Sequence, residues 1–137
     1  MSYPPEYANS RHLWGGDWTV KPTVYVIGPY SKGEPGRNTI QALHVADRIA
    51  ARGGVPFVPH LSHFWDMVHP HPYEWWMGYV MVWLEKCDLV FRIPGESPGG
   101  DKEEARVEEM GKRVIKDWDE LDREIDYYLA HPPDIPH

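Results

Sequence analysis

Thr23-Val24-Tyr25-Val26-Ile27-Gly28-Pro29 is the stretch on which the fold turns. It is a β-branched, apolar run with no polar alternation, and a Gly-Pro pair ends it. Unbroken apolarity predicts a strand covered on both faces, as in parallel sheets. A glycine-containing loop, Tyr30 to Arg37, follows. From Asn38 to Arg52, Ile40, Leu43, Ala46, Ile49 and Ala50 recur at helical spacing until Gly53-Gly54 stops the helix. Val55-Pro56-Phe57-Val58 then reads as a second strand closed by Pro59. Strand, helix, strand over this length predicts a parallel crossover.

Further along, residues 60 to 72 read as a His- and Pro-rich loop carrying Phe64, Trp65 and Met67. Trp76, Val80, Trp83 and Cys87 lie four, three and four apart, on one helical face. Leu89-Val90-Phe91, preceded by Asp88, is a third strand. A loop from Pro94 to Gly100 leads into a helix from about Asp101 to Met110, which Gly111 ends. Val114-Ile115 is a short fourth strand, and Trp118, Leu121, Ile125 and Tyr128 mark a last amphipathic helix. The expected fold is a three-layer α/β domain of Rossmann/flavodoxin-like type with a small parallel sheet of four to five strands. Residues 1–22 are expected to form an irregular arm, which Trp14 and Trp18 can lay over the domain. Residues 23–130 form the single α/β domain, and 131–137 a Pro-rich tail.

A chain of 137 residues suits one such domain. Its 7 Trp and 8 Tyr are many for that length, and several fall between residues 64 and 83. Such clusters fill cores, line pockets for flat ligands or form subunit contacts. A net charge of −7 argues against a binder of nucleic-acid polymers, which needs a basic face, but leaves room for one small anion held locally. The single cysteine, Cys87, excludes an intramolecular disulfide and a four-cysteine zinc site, and its place on an apolar helix face reads as a buried structural thiol. Nothing resembles a signal peptide or a membrane span of roughly 18 or more apolar residues, so the expected setting is the cytoplasm, away from membranes.

In parallel sheets, ligands sit beyond the carboxyl ends of the strands. Three segments should therefore converge: Gly28 to Gly33, Pro59 to Asp66, and Arg92 to Glu103. Gly99 and Gly100 at a helix start permit close approach, free N–H groups there favour an anion, and Ser97 adds a hydroxyl. Phosphate fits that description. Glu103, placed inside the first turn, keeps its carboxylate ionised and can reach the same mouth. Asp101, Glu103 and Glu104 equally fit as first-turn acids that complement the helix dipole. Gly28-Pro29-Tyr30-Ser31-Lys32-Gly33 is neither a dinucleotide nor a Walker loop, only a turn able to present Tyr30 and backbone donors. His60 and His63, with His69 and His71 nearby, lack a third ligand at a metal-binding spacing, and no metal is expected. A Gly-x-Ser-x-Gly elbow is absent.

Taken together, these segments resemble the nucleoside 2-deoxyribosyltransferase-like superfamily, and within it the DUF4406 branch. The likeness rests on Val24 to Tyr30, and on Asn38 with Ala42, Ala46 and Gly53. It continues through Pro59 to Trp65, Pro72-Tyr73-Glu74 with Trp76, and Cys87-Asp88. It is most specific from Arg92 to Glu103, with Gly111 eight residues on, and it spans roughly residues 23 to 115. The resemblance implies that Glu103 attacks the anomeric carbon of a nucleoside or nucleoside 5′-monophosphate, and that Ser97 binds the phosphate. Gly28, Tyr30, Ser31, His60, His63, Trp65, Arg92, Gly99 and Gly100 are the other residues expected around the substrate, with no cofactor. Relatives carry an aspartate where this chain has Val80, so Asp66, Glu74 and Asp101 become the candidate acid/base groups. The implied function is cleavage or transfer of an N-glycosidic bond through a covalent glycosyl-Glu103 intermediate, by a homo-oligomer (dimer or tetramer). The alternatives are a nucleotide- or nucleotide-sugar-binding module with little turnover and, third, an oligomeric scaffold.

Overall fold

Strand β1 (Thr23–Ile27) lies in the interior of a four-stranded sheet, where its unbroken apolarity puts it. The structure is a computed structural model and describes residues 17–29 and 35–133. After β1 come α1 (Pro35–Ala51), β2 (Val55–Phe57), α2 (Ser62–Val68), α3 (Tyr73–Lys86), β3 (Leu89–Arg92), α4 (Pro98–Glu109), β4 (Val114–Ile115) and α5 (Trp118–Ala130). The sheet order is β2-β1-β3-β4 and every pairing is parallel. This is a three-layer α/β fold of the Rossmann/flavodoxin type.

Alternate residues of β1 supply the two cores. Val24 and Val26 pack on one face with Ala42, Ala46 and Ile49 of α1 and Leu121 and Ile125 of α5. Tyr25 and Ile27 pack on the other with Val80 and Leu84 of α3 and Val107 of α4. Strand β3 divides in the same way, with Phe91 on the first face and Val90 on the second. The chain thus leaves β1 for β2 over one face and reaches β3 over the other. Between β1 and β3 the connections part to opposite sides, which opens a crevice at the strands' carboxyl ends.

The sheet is pinned at both ends of that pair. At the entrance, Asp88 Oδ2 accepts from Thr23 N and Thr23 Oγ1, both at 2.9 Å, and the Asp88 N–H donates back to Thr23 Oγ1 at 2.8 Å. At the exit, the Ile93 N–H donates to the Ile27 carbonyl at 2.7 Å.

Several expectations need correction. The His- and Pro-rich segment is not all loop: Pro59–Leu61 forms a 3-10 turn and α2 follows directly. Proline is absent between Leu61 and His69, so nothing interrupts that helix before His69-Pro70. Helix α4 starts at Pro98, three residues before the expected Asp101, and includes both glycines. Ser97 caps it, its Oγ accepting from Gly100 N at 2.9 Å, and Pro98 suits the first position because no N–H is needed there. Glu103 therefore lies in the second turn of α4. On α3, the buried residues are Val80 and Leu84, joined by Cys87, whereas Trp83 is 40 % exposed and stacks on Phe57. Trp14 lies outside the described residues, and Trp18 is 53 % exposed in a 3-10 turn. Among the described residues, no helix is long and apolar enough to cross a membrane.

Candidate active site

The crevice between β1 and β3 is a cleft of about 160 Å³. Gly28 ends β1 beside it, and Pro59, His60 and Ser62 come from the turn after β2. Asp66 of α2 and Tyr73, Trp76, Met77 and Val80 of α3 form one wall, and Ser97, Gly99, Gly100 and Glu103 at the start of α4 form the other.

Glu103 is 8 % exposed, and its Oε2 accepts a short hydrogen bond from the Tyr25 hydroxyl. Burial pushes its carboxyl up to about 7, while the Tyr25 bond and the charge of Arg92 oppose that rise. Burial, and then the neighbouring Glu103, hold the Tyr25 hydroxyl well above its ordinary range, so Tyr25 remains a donor. Among the described residues Glu103 Oε1 takes no hydrogen bond. The expectation of a carboxylate kept ionised by a helix N-terminus is thus corrected. At the second turn the dipole is weak and desolvation wins.

The α4 terminus offers fewer donors than expected. Pro98 has none, Gly100 N–H donates to Ser97 Oγ, and Asp101 N–H donates to Ser97 O at 2.8 Å. That leaves the Gly99 amide and the Ser97 O–H. Gly100 is required by close approach, since a Cβ there would lie 2.9 Å from Ser97 Oγ and 3.0 Å from Ile27 Cγ2.

His60 is buried, and its Nε2 lies 3.0 Å from the Pro29 carbonyl. A carbonyl only accepts, so Nε2 carries the proton, and burial lowers the pKa to favour this neutral ring. His60 thereby ties the end of β1 to the turn after β2. Across the cleft, Asp66 Oδ1 accepts from Trp76 Nε1 at 2.7 Å and from His71 N at 2.9 Å. Those two bonds, the His71 amide first, hold its carboxyl below the usual range, with further help from the nearby His71 and His63 rings.

Other expected site residues lie elsewhere. Asp101 is on the outside of α4, its side chain 70 % exposed and 2.9 Å from Arg92 Nη2. Two residues apart on a helix means roughly 200° around it, so Asp101 and Glu103 cannot face one cleft. Arg92 is turned to Asp101, Glu104 and the Gly95 carbonyl and does not line the cleft. His63 packs edge-on against Phe64. Trp65 lines an adjacent apolar groove with Leu43, Phe57 and Tyr79, and meets Trp76 edge-on. Glu74 is exposed in the first turn of α3. Tyr30 and Ser31 lie outside the described residues. Among the described residues, no three metal-ligating side chains gather.

Tyr25, Ser62, Met77 and Trp76's role as a donor were not foreseen. Tyr25 did leave a signal. It is the only hydroxyl between Val24 and Ile27, and a buried tyrosine O–H needs a partner.

Fold and site together define a three-layer α/β protein with a buried, protonatable glutamate at the carboxyl edge of its sheet. No protein-family model matches the chain, and no curated protein matches it.

Proposed function

We propose that this chain cleaves or transfers the N-glycosidic bond of a nucleoside or nucleoside 5′-monophosphate, with Glu103 as nucleophile. The observation that carries the reading is Glu103 itself: a carboxyl buried in a cleft wall, oriented through one oxygen by Tyr25, with no bond to the other oxygen among the described residues. A fixed carboxylate is the group that traps an oxocarbenium-like anomeric carbon. Attack by Oε1 gives a glycosyl ester; water or a second base then displaces it with net retention. Ser97 and the Gly99 amide are the donors that meet a sugar hydroxyl or phosphate. Exposed Phe64, Trp65, Trp75 and Trp83 on α2 and α3 support a homo-oligomer, and the unpaired Cys87 suits a reducing cytoplasm.

Base release from a nucleoside and nucleotide panel, followed by chromatography, tests this. Release is expected from some member of the panel and lost in Glu103→Ala. A variant that releases base as fast as wild type sinks the assignment. Buried, apolar Val80 beside the cleft favours a second reading, a binding module with little turnover. That reading predicts a thermal shift with nucleosides or nucleotides and no product.

A further inference from the structure

Resting on Glu103 as nucleophile, we infer that the substrate is a cationic N-glycoside, whose departing ring bears its positive charge at or conjugated to the glycosidic nitrogen. Pyridinium nucleosides and N7-alkylated purine nucleosides are the chemical class.

Charge comes first. Among the described lining residues, the charged side chains are two carboxylates, Asp66 and Glu103. Arg92, whose charge acts on Glu103 from behind the wall, is paired with Asp101 and Glu104 and does not line the cleft. Lys102 has its Nζ 4.9 Å from the centre of the Tyr73 ring and does not line the cleft. His60 directs its Nε2 proton to Pro29 O. Tyr73, Trp76, Met77 and Val80 share the wall with Asp66. Aromatic rings beside a carboxylate suit a flat cation, which gains from the ring faces and from the anion together.

Proton supply comes second. A neutral base leaves well only when its ring nitrogen is protonated as the bond breaks. Among the described lining residues Val80 and Met77 have no proton to give, and the hydroxyls of Ser62, Tyr73 and Ser97 belong to classes far less acidic than a carboxyl. Asp66 Oδ1 is fixed as the acceptor of two N–H groups, the arrangement of an ionised carboxylate rather than an acid. A cationic ring needs no proton. Glu103 Oε1 forms the bond to C1′ as the C1′–N bond breaks, and that electron pair neutralises the ring. Water then attacks C1′, the ester C–O bond returns its pair to Glu103, and the water's proton leaves to solvent. Cationic nucleoside plus water becomes sugar, neutral base and one proton.

The test uses the full chain with nicotinamide riboside, its neutral dihydro form and inosine, with base release read by chromatography. The cationic nucleoside should be cleaved at least 100-fold faster, as kcat/KM, than either neutral one. In parallel, calorimetry compares 1-methylnicotinamide with nicotinamide on wild type and Asp66→Asn. The amide oxygen of that variant still accepts from Trp76 and His71, so the wall is kept. At least tenfold tighter binding of the cation is expected in wild type, with most of that preference lost in the variant. Equal binding of the two rings, or equal cleavage of neutral nucleosides, overturns the inference and leaves the glycosidase reading standing. A cation preference with no base released from any compound overturns the glycosidase reading instead, while the cleft's selectivity for cations holds.

Discussion

From the middle of β1, the Tyr25 hydroxyl donates to Glu103 Oε2 and so ties the sheet's interior strand to the second turn of α4. Two opposing effects meet there. Burial favours the protonated carboxyl, the phenol bond favours the carboxylate, and burial wins, since the group sits at about 7. As the proposed nucleophile, Glu103 must be ionised, so activity should climb as pH rises through 7. Removing the phenol O–H takes away the opposing effect. Tyr25→Phe should therefore move the acidic limb of kcat/KM to higher pH. A rise of about one unit would leave roughly a fifth of the ionised form at pH 7. A pH–rate profile checks this, and an unmoved limb would show that the bond does not tune Glu103.

The same group sets a pH dependence of stability with an unusual sign. The folded pKa of Glu103, about 7, lies above its ordinary 4.5. Between those values the native state holds a proton that the unfolded chain has released, so stability falls as pH rises through this window and is flat above it. The loss is on the order of 3 kcal/mol. Glu103→Gln keeps an acceptor for Tyr25 and cannot ionise. Its gain in stability over wild type should be largest at pH 8 and vanish near pH 4. Urea melts at both values provide the check, and a gain independent of pH would refute the account.

Asp88 makes three hydrogen bonds with Thr23 at the edge of the sheet opposite the cleft. Asp88→Ala should cost about 1–3 kcal/mol, because the Thr23 N–H and hydroxyl lose their acceptor. Activity of the folded fraction should stay within about twofold of wild type. A large fall in kcat with full folding by circular dichroism would mean that this acid acts at the site.

Ser97 combines a cap with a cleft hydroxyl, and the two roles separate by substitution. Ser97→Ala loses the bond to Gly100 N and should cost about 1 kcal/mol of stability. Ser97→Asn restores a cap without the hydroxyl. If the O–H binds substrate, Ser97→Asn regains stability but keeps a raised KM. Recovery of both would reduce Ser97 to a cap.

How much of this was legible in the sequence depended on how far each residue's partner lay. The place of β1 could be read because four consecutive apolar residues, Val24 to Ile27, must be covered on both faces. The cleft followed from that placement, through the parallel order of the strands. The start of α4 was misread because Gly99-Gly100 look like a helix breaker. Their acceptance rests on the Ile27 side chain and the Ser97 cap, which no local pattern reveals. Asp101 left the site for another reason: two residues from Glu103 on one helix, it faces Arg92 instead. The Tyr25–Glu103 bond joins residues 78 apart, and the locking of Asp66 by Trp76 needed α2, a seven-residue helix too short to show a period.

Val80 supplies the last prediction. It is 6 % exposed, and it lies both in the core with Tyr25 and Leu84 and on the cleft wall. A carboxyl placed there is desolvated and shares the cleft with Asp66 and Glu103, so its pKa rises and it stays protonated at neutral pH. Such a group can hand a proton to a departing neutral base, which Asp66, fixed as an acceptor, does not. Val80→Asp should therefore raise release of base from inosine by tenfold or more and change cleavage of nicotinamide riboside far less. Its cost is about 2–4 kcal/mol of stability, from burying a polar group in an apolar wall. Chromatography of both reactions, with urea melts to confirm folding, reads the outcome. A folded variant with no gain on inosine would show that proton supply is not what limits this cleft.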